Sequence, residues 1–203
     1  MKTIILLHGM GGPNPLNLIE KELSQYVNVI KPVMPGFSEQ DGTISYKDDD
    51  YVEYVERVRK ENGIEKFVVL EYSMGGRIAL KFSFVQEILG KSDFVDYRSE
   101  VYKVGKKWVA DMMNVPMIRK NFVEILTSVG KPIPDIEDKV KSLNVPTLLL
   151  WAKDDKITKI TSAYWLKERI KECQIYILPR YRHMAPLEKS DFYTEHILKY
   201  MEV

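Results

Sequence analysis

A serine between an apolar run and two glycines is the first candidate for chemistry in this sequence. In the stretch LEYSMGGRIAL, residues 70–80, Ser73 stands where a strand would turn sharply into a helix. Such a turn exposes the serine hydroxyl at a sheet edge and directs the amide of Met74 into the same space. A serine before glycines is also a common helix cap. The strand before it and the helix after it favour a nucleophile, although Glu71 stands where such turns usually carry glycine.

A glycine-rich loop follows the first apolar run of the chain. It reads His8-Gly9-Met10-Gly11-Gly12, and its glycines allow a sharp turn that exposes backbone amides. We expect the Met10 amide to be a second donor to an oxyanion, beside the Met74 amide. His8 could serve as a base, but we expect it to be structural and hydrogen bonded to the loop backbone.

Two further stretches supply an acid and a base. Asp154 and Asp155 both follow the apolar run that ends at Trp151, and a carboxylate in that position can orient a histidine. His183 lies in the loop after the last apolar run and could reach Ser73 as a general base. His196 falls within the final helix, where we expect a surface or packing role.

The elements that must position these residues alternate between strand and helix. Apolar runs predict strands at residues 3–7, 27–31, 67–70, 145–151 and 174–178, and the final helix is expected over roughly 187–200. Continuous apolar strands separated by helices are typical of a parallel sheet that is covered on both faces. The carboxyl ends of such strands form one edge, so residues from distant stretches can meet there.

A different pattern occupies residues 92–142. Apolar residues recur at helical spacing on both sides of Pro116, which predicts two amphipathic helices inserted between the halves of the sheet. Trp108, Met112 and Phe122 from this insertion could line a substrate pocket. Ordinary helix packing explains the same stripe equally well.

Size and charge limit the remaining possibilities. The 203 residues fit one domain, residues 1–203, and 30 basic against 29 acidic side chains leave a net charge of +1. That balance gives no electrostatic reason to expect nucleic acid or an anionic membrane as a partner. The apolar run at residues 4–7 is too short for a signal peptide or a membrane span, so we expect a cytoplasmic location.

The order serine, acid, histidine along the chain resembles that of the α/β-hydrolase superfamily. The sequence is most similar to its small esterase, C–C hydrolase and haloperoxidase-like branch, through the opening LHGMGG, the turn SMGGRIAL, the stretch PTLLLW before Asp155, and the His183-Met184 loop. The resemblance implies a three-layer fold with a minimal, mostly parallel sheet and a helical cap at about residues 92–142. It also implies a triad of Ser73, Asp155 and His183.

The function that this resemblance implies is that of a carboxylesterase-like serine hydrolase acting on a small ester, with no metal or organic cofactor. Two alternatives remain open: a non-catalytic binding protein whose turn is spoiled by Glu71, and a C–C bond hydrolase or peptidase. Glu71 must either turn to solvent or lie near the catalytic centre. The strand that usually follows the turn's helix is not recognisable between Lys81 and Asp96, which leaves the strand count at five or six.

Overall fold

The computed structural model describes residues 1–38, 46–76, 89–90, 114, 121, 124–125, 127–128 and 133–203. Its strands are β1 (Thr3–Leu7), β2 (Asn28–Ile30), β3 (Val68–Glu71), β4 (Leu89–Gly90), β5 (Thr147–Ala152) and β6 (Cys173–Leu178). Over this part of the chain they form a six-stranded sheet in the order β2-β1-β3-β4-β5-β6, with every neighbouring pair parallel. The predicted parallel sheet is therefore confirmed.

Helices connect the strands. Those whose two ends both lie in the described residues are a 3₁₀ turn (Asn14–Leu16), α1 (Asn17–Leu23), α2 (Asp48–Glu61), α3 (Ile136–Ser142), α4 (Ile160–Arg169), α5 (Ala185–Glu188) and α6 (Ser190–Tyr200). The single final helix expected over 187–200 is thus divided between α5 and α6. Lys189 between them has φ −141° and ψ 48°, which is not helical, so the chain changes direction there.

The residues of β1 show how the sheet is covered on both faces. Ile4 and Leu6 pack in one apolar cluster with residues of α1, α5 and α6. Ile5 and Leu7 point the other way, into a second cluster with residues of α2. Successive side chains of a strand point to opposite faces, so an unbroken apolar run fills both layers.

The short strand β4 is the one that the sequence did not reveal. It lies between β3 and β5, where Leu70 pairs with Leu89 and Glu71 with Gly90. Two residues carry no periodicity, so its position follows from the topology of the sheet and not from a local pattern.

The expected cap is described only in part. Asn121, Glu124, Ile125, Thr127 and Ser128 are helical. Ile125 is fully buried in the second cluster, so this part of the insertion packs on the main body. The division of the chain into a core and a cap at 92–142 remains a prediction.

The loop after β2 is held by two tyrosines of α2. The Tyr51 hydroxyl donates to the carbonyl of Pro35 at 3.1 Å, and the Tyr54 hydroxyl donates to the carbonyl of Val33 at 2.9 Å. Met34 lies between these two residues, and its amide donates to Nε2 of His8 in the glycine-rich loop. In the described portion of the chain, no helix has both the length and the apolar character that crossing a membrane requires.

Candidate active site

Ser73 lies at a strained turn between β3 and the helix that begins at Met74. Its φ is 57°, a left-handed conformation that non-glycine residues seldom adopt. Gly75 makes the turn possible, because a Cβ there would lie 2.5 Å from the carbonyl oxygen of Leu7 at the end of β1. The turn therefore packs directly on β1 and presents a half-buried serine at the carboxyl edge of the sheet.

His183 reaches this serine from the loop after β6. The Nε2 atom of His183 lies 3.1 Å from the Ser73 hydroxyl oxygen, and its side chain is almost completely buried. Burial lowers the pKa of His183 below its ordinary value, while hydrogen bonding to Asp155 and the negative charge of Asp155 act in the opposite direction. Because the effect of burial is larger than that of Asp155, the imidazole is neutral at pH 7 and can accept a proton.

Asp155 completes the arrangement from the loop after β5. Its carboxylate oxygens lie 3.3 and 3.4 Å from Nδ1 of His183, and its side chain is fully buried. The amides of Ile157 and Thr158 donate to this carboxylate at 2.7 and 2.9 Å, and the Thr158 hydroxyl donates to it as well. The carboxylate is thus fixed in orientation before it meets the histidine.

The neighbouring acid occupies a different environment. The Asp154 side chain is exposed, and its amide donates to the carbonyl of Tyr181 at 3.1 Å. Asp154 therefore ties the acid loop to the histidine loop through its backbone. Of the two acids left open by the residues themselves, the structure brings only Asp155 to His183.

The geometry of these three residues permits general base chemistry. With its Nδ1 proton directed to Asp155, His183 presents its Nε2 lone pair to the Ser73 hydroxyl, as a general base requires. A carboxylate in this position can stabilise an imidazolium.

The glycine-rich loop lies against the serine. A Cβ on Gly9 would sit only 2.5 Å from the Cβ of Ser73, so no larger residue fits there. This contact brings the turn that contains Met10 to the nucleophile. Met74 is the first residue of a helix, where an amide has no acceptor within the helix. The oxyanion role of these two amides remains a prediction.

His8 is hydrogen bonded through both ring nitrogens. Its Nδ1 lies 2.8 Å from the Gly9 carbonyl oxygen, and its Nε2 accepts from the Met34 amide at 2.9 Å. Burial lowers its pKa to about 4, so the ring is neutral and donates through Nδ1. Both nitrogens bind backbone groups, as a structural role requires.

Glu71 does not turn to solvent. It is 8 % exposed and lies over the first turn of the helix after Ser73, where a Cβ on Gly76 would be 3.7 Å from the Glu71 Cγ. The turn thus forms with glutamate in the usual glycine position. Arg77 lies outside the described residues, as do the predicted pocket residues Trp108, Met112 and Phe122.

Two contacting residues were missed from the sequence. Thr158 binds Asp155, and the spacing of three residues within one loop is a usable local signal. Tyr72 binds the histidine loop 111 positions away, and nothing near it in the sequence indicates this. Among the described residues there is no group of three or more His, Cys, Asp or Glu side chains that could hold a metal ion.

The sequence profile of the family described as alpha/beta hydrolase fold matches residues 2–83. This region holds β1, the glycine-rich loop and the turn at Ser73. The chain has the α/β-hydrolase fold, and its resemblance to the α/β-hydrolase superfamily is confirmed.

Individual relatives align with nearly the whole length of this chain. A 2-hydroxy-6-oxononadienedioate/2-hydroxy-6-oxononatrienedioate hydrolase of Pseudomonas putida is 23% identical, over 98% of this chain and 88% of its own length. The structure of a 2-hydroxy-6-oxo-6-phenylhexa-2,4-dienoate hydrolase from Rhodococcus sp. strain RHA1 superposes with a TM-score of 0.83 at 18% identity, covering 100% of this chain and 91% of that one. An N-acyl homoserine lactone degrading enzyme gives a TM-score of 0.84 at 17% identity, over 97% and 92%.

The proteins that this chain resembles are thus hydrolases. The hydrolases named for dienoate or dienedioate substrates match the C–C hydrolase alternative. They do not clearly support the carboxylesterase that the sequence favoured.

Proposed function

We propose that this protein is a serine hydrolase in which Ser73 attacks a carbonyl carbon, His183 accepts the serine proton and Asp155 orients the histidine. The observation that carries the proposal is the strained Ser73, φ 57°, with its hydroxyl oxygen 3.1 Å from a buried, neutral imidazole. Backbone strain of this kind persists only where the surroundings enforce it, and it is concentrated at active sites.

The negative charge that develops on the substrate oxygen needs donors. We assign this role to the backbone amides of Met10 and Met74. The support is the close contact of Gly9 with Ser73, together with the position of Met74 at the start of a helix. Removing one such donor typically costs about 10²- to 10³-fold in turnover.

The reaction is completed by water. His183 gives its proton to the leaving group as the bond between that group and the carbonyl carbon breaks. The same imidazole then takes a proton from a water molecule that attacks the acyl-serine carbonyl, and it returns this proton to Ser73 as the bond between the acyl carbon and the serine oxygen breaks. These steps require proton transfer and charge stabilisation, which the named side chains and amides supply without a further group.

A fluorophosphonate probe tests the nucleophile directly. We expect it to label Ser73 and no other serine when the modified protein is digested and its peptides are mapped. Ser73→Ala should abolish labelling. Ser162→Ala, a change on the exposed face of α4, should leave labelling intact and serves as the matched control. Labelling that persists in Ser73→Ala would overturn the assignment.

The substrate proposal has two branches. An ester is the simplest substrate for this triad, and a small p-nitrophenyl ester is the first assay. Cleavage of a carbon–carbon bond beside a ketone is the second branch, supported by the dienoate hydrolase names of the relatives. Comparing kcat/KM for a short p-nitrophenyl ester and for 2-hydroxy-6-oxo-6-phenylhexa-2,4-dienoate decides between them. The favoured branch is the one with the larger value.

The buried Glu71 supports a third possibility, a binding protein that has kept the fold. The probe separates it from both enzymes, because a protein without a reactive serine takes up no label. Absence of labelling at Ser73 in the folded wild-type protein would therefore favour the binding protein.

A further inference from the structure

Tyr72 joins the turn that carries the nucleophile to the loop that carries the base. It directly precedes Ser73, and its side chain is 2 % exposed in the apolar cluster on the α1 and α6 side of the sheet. The Tyr72 hydroxyl oxygen lies 2.9 Å from the carbonyl oxygen of His183 and 2.8 Å from Sδ of Met184.

The hydroxyl has one proton to share between these neighbours. A carbonyl oxygen is a much better acceptor than a thioether sulfur, so the Tyr72 hydroxyl donates to the His183 carbonyl. The Tyr72 ring also lies beside the imidazole, with 5.7 Å between ring centroids and 38° between the planes. Tyr72 therefore contacts both the backbone and the ring of His183.

The contacts of the His183 imidazole with Ser73 and Asp155 are 3.1 Å or longer, so a further contact with the histidine loop helps to hold the ring in place. The His183 ring nitrogens lie 3.1 Å from Ser73 and 3.3 Å or more from Asp155. The backbone of the loop is tied to Asp154 through the Tyr181 carbonyl. The bond to Tyr72 is a further contact between the loop and the turn, in addition to the one that joins His183 to Ser73.

We propose that Tyr72 is a positioning residue that fixes the distance between the Ser73 hydroxyl and the His183 imidazole through its hydrogen bond to the His183 carbonyl. This inference rests on the proposed serine hydrolase mechanism. The hydrogen bond orients the base, so Tyr72 acts through His183.

Tyr72→Phe removes the hydroxyl and keeps the ring. We expect kcat to fall roughly tenfold with KM little changed, because the loss of one buried hydrogen bond misplaces the base in the transition state. Tyr193→Phe is the control, since Tyr193 is buried in the same cluster but lies in α6. Thermal unfolding is measured for both variants at the same time, and kcat is expected to fall only in Tyr72→Phe. Equal values of kcat in Tyr72→Phe and wild type would overturn the proposal.

A second measurement does not depend on catalysis. The Nδ1 proton of His183, which is directed to Asp155, should give a resolved NMR signal that disappears in His183→Ala. In Tyr72→Phe we expect this signal to shift or broaden, while Tyr193→Phe leaves it in place. An unchanged signal in Tyr72→Phe would overturn the inference even if the protein is not a hydrolase.

Fluorophosphonate labelling, used beside the NMR comparison, separates failure of this inference from failure of the proposed function. Wild-type protein that takes no fluorophosphonate label rejects the function, and the NMR comparison then decides the role of Tyr72. Wild-type protein that is labelled at Ser73, with an unchanged rate of labelling in Tyr72→Phe, retains the function and rejects the inference.

Discussion

Two buried histidines lie in loops at the carboxyl edge of the sheet, and their surroundings differ. His8 follows β1 and binds the backbone at both nitrogens, to the Gly9 carbonyl and the Met34 amide. His183 follows β6 and meets side chains, a carboxylate at Nδ1 and a hydroxyl at Nε2. Both side chains are inaccessible to solvent.

Burial alone therefore does not distinguish a structural histidine from a candidate base. Burial lowers the pKa of both rings. The partner at Nε2 makes the difference. An amide donor occupies the lone pair of His8, whereas a hydroxyl leaves the lone pair of His183 able to take a proton.

The same substitution at the two histidines should give the largest contrast. We expect His183→Gln to lower turnover by about 10⁴-fold or more, because the general base is lost. His8→Gln should lower turnover only a few-fold at a temperature where the variant is folded, because no proton passes through His8. The measurement is kcat/KM on one substrate for both variants. A comparable loss in His8→Gln would break the distinction between the two loops.

The next contrast separates the two adjacent acids. Asp155→Asn should lower turnover by on the order of 10³-fold or more, because an amide favours the wrong tautomer of His183. Asp154→Asn should leave turnover almost unchanged, since the Asp154 side chain is exposed and only its backbone binds the histidine loop. Steady-state kinetics on both variants test this. A larger loss in Asp154→Asn would exchange the roles of the two acids.

Stability in acid should depend on His8. Its pKa is about 4 in the folded protein, against about 6.5 in the unfolded chain. The unfolded state thus binds the proton first, so stability is full above pH 6.5 and is lost as pH falls towards 4. The loss is on the order of 3 kcal/mol by linkage. Urea unfolding between pH 7 and pH 4.5 measures it, and His8→Gln should show a shallower dependence. Parallel pH profiles would contradict the assignment.

The pH dependence of catalysis should depend on His183. Because burial lowers its pKa, we expect kcat/KM to rise with pH through a midpoint below 6.5 and to level off above that midpoint. Asp155 raises that pKa, so the residual activity of Asp155→Asn should have its midpoint at still lower pH. A midpoint that moves upward in Asp155→Asn would be inconsistent with this.

The smallest change in catalysis is expected at Glu71, the last residue of β3. An ionised carboxylate two residues before the nucleophile would oppose an oxyanion, so Glu71→Gly should raise kcat/KM for a neutral p-nitrophenyl ester several-fold. Glu71→Gln keeps the size and removes the charge, so a similar gain there would identify charge as the cause. Equal or lower activity in Glu71→Gly would mean that the glutamate is tolerated or used.

The sequence predicts the parts of the site that local patterns encode. The turn at Ser73, the glycine-rich loop and the histidine loop each combine an apolar run with a characteristic set of residues. The Asp155 assignment came from family resemblance, because the residues alone left Asp154 open. The contacts of Asp155 with His183 and the exposure of Asp154 are tertiary facts.

What the sequence could not predict depends on long-range packing. The strand β4 has only two residues, and its pairing with Glu71 follows from the order of the sheet. The burial of Glu71 beside Gly76 is a packing contact that no sequence pattern announces. The contact of Tyr72 with His183 joins elements that no short pattern connects.

The parallel order of the strands has a consequence for how the site is made during synthesis. Ser73 and His183 are 110 positions apart, so the nucleophile leaves the ribosome long before its base. Closing so long a loop carries an entropic cost, and distant pairing of this kind slows folding. The nucleophile gains its base only after β6 has joined the sheet, so a nascent chain that ends before β6 holds the serine without its base.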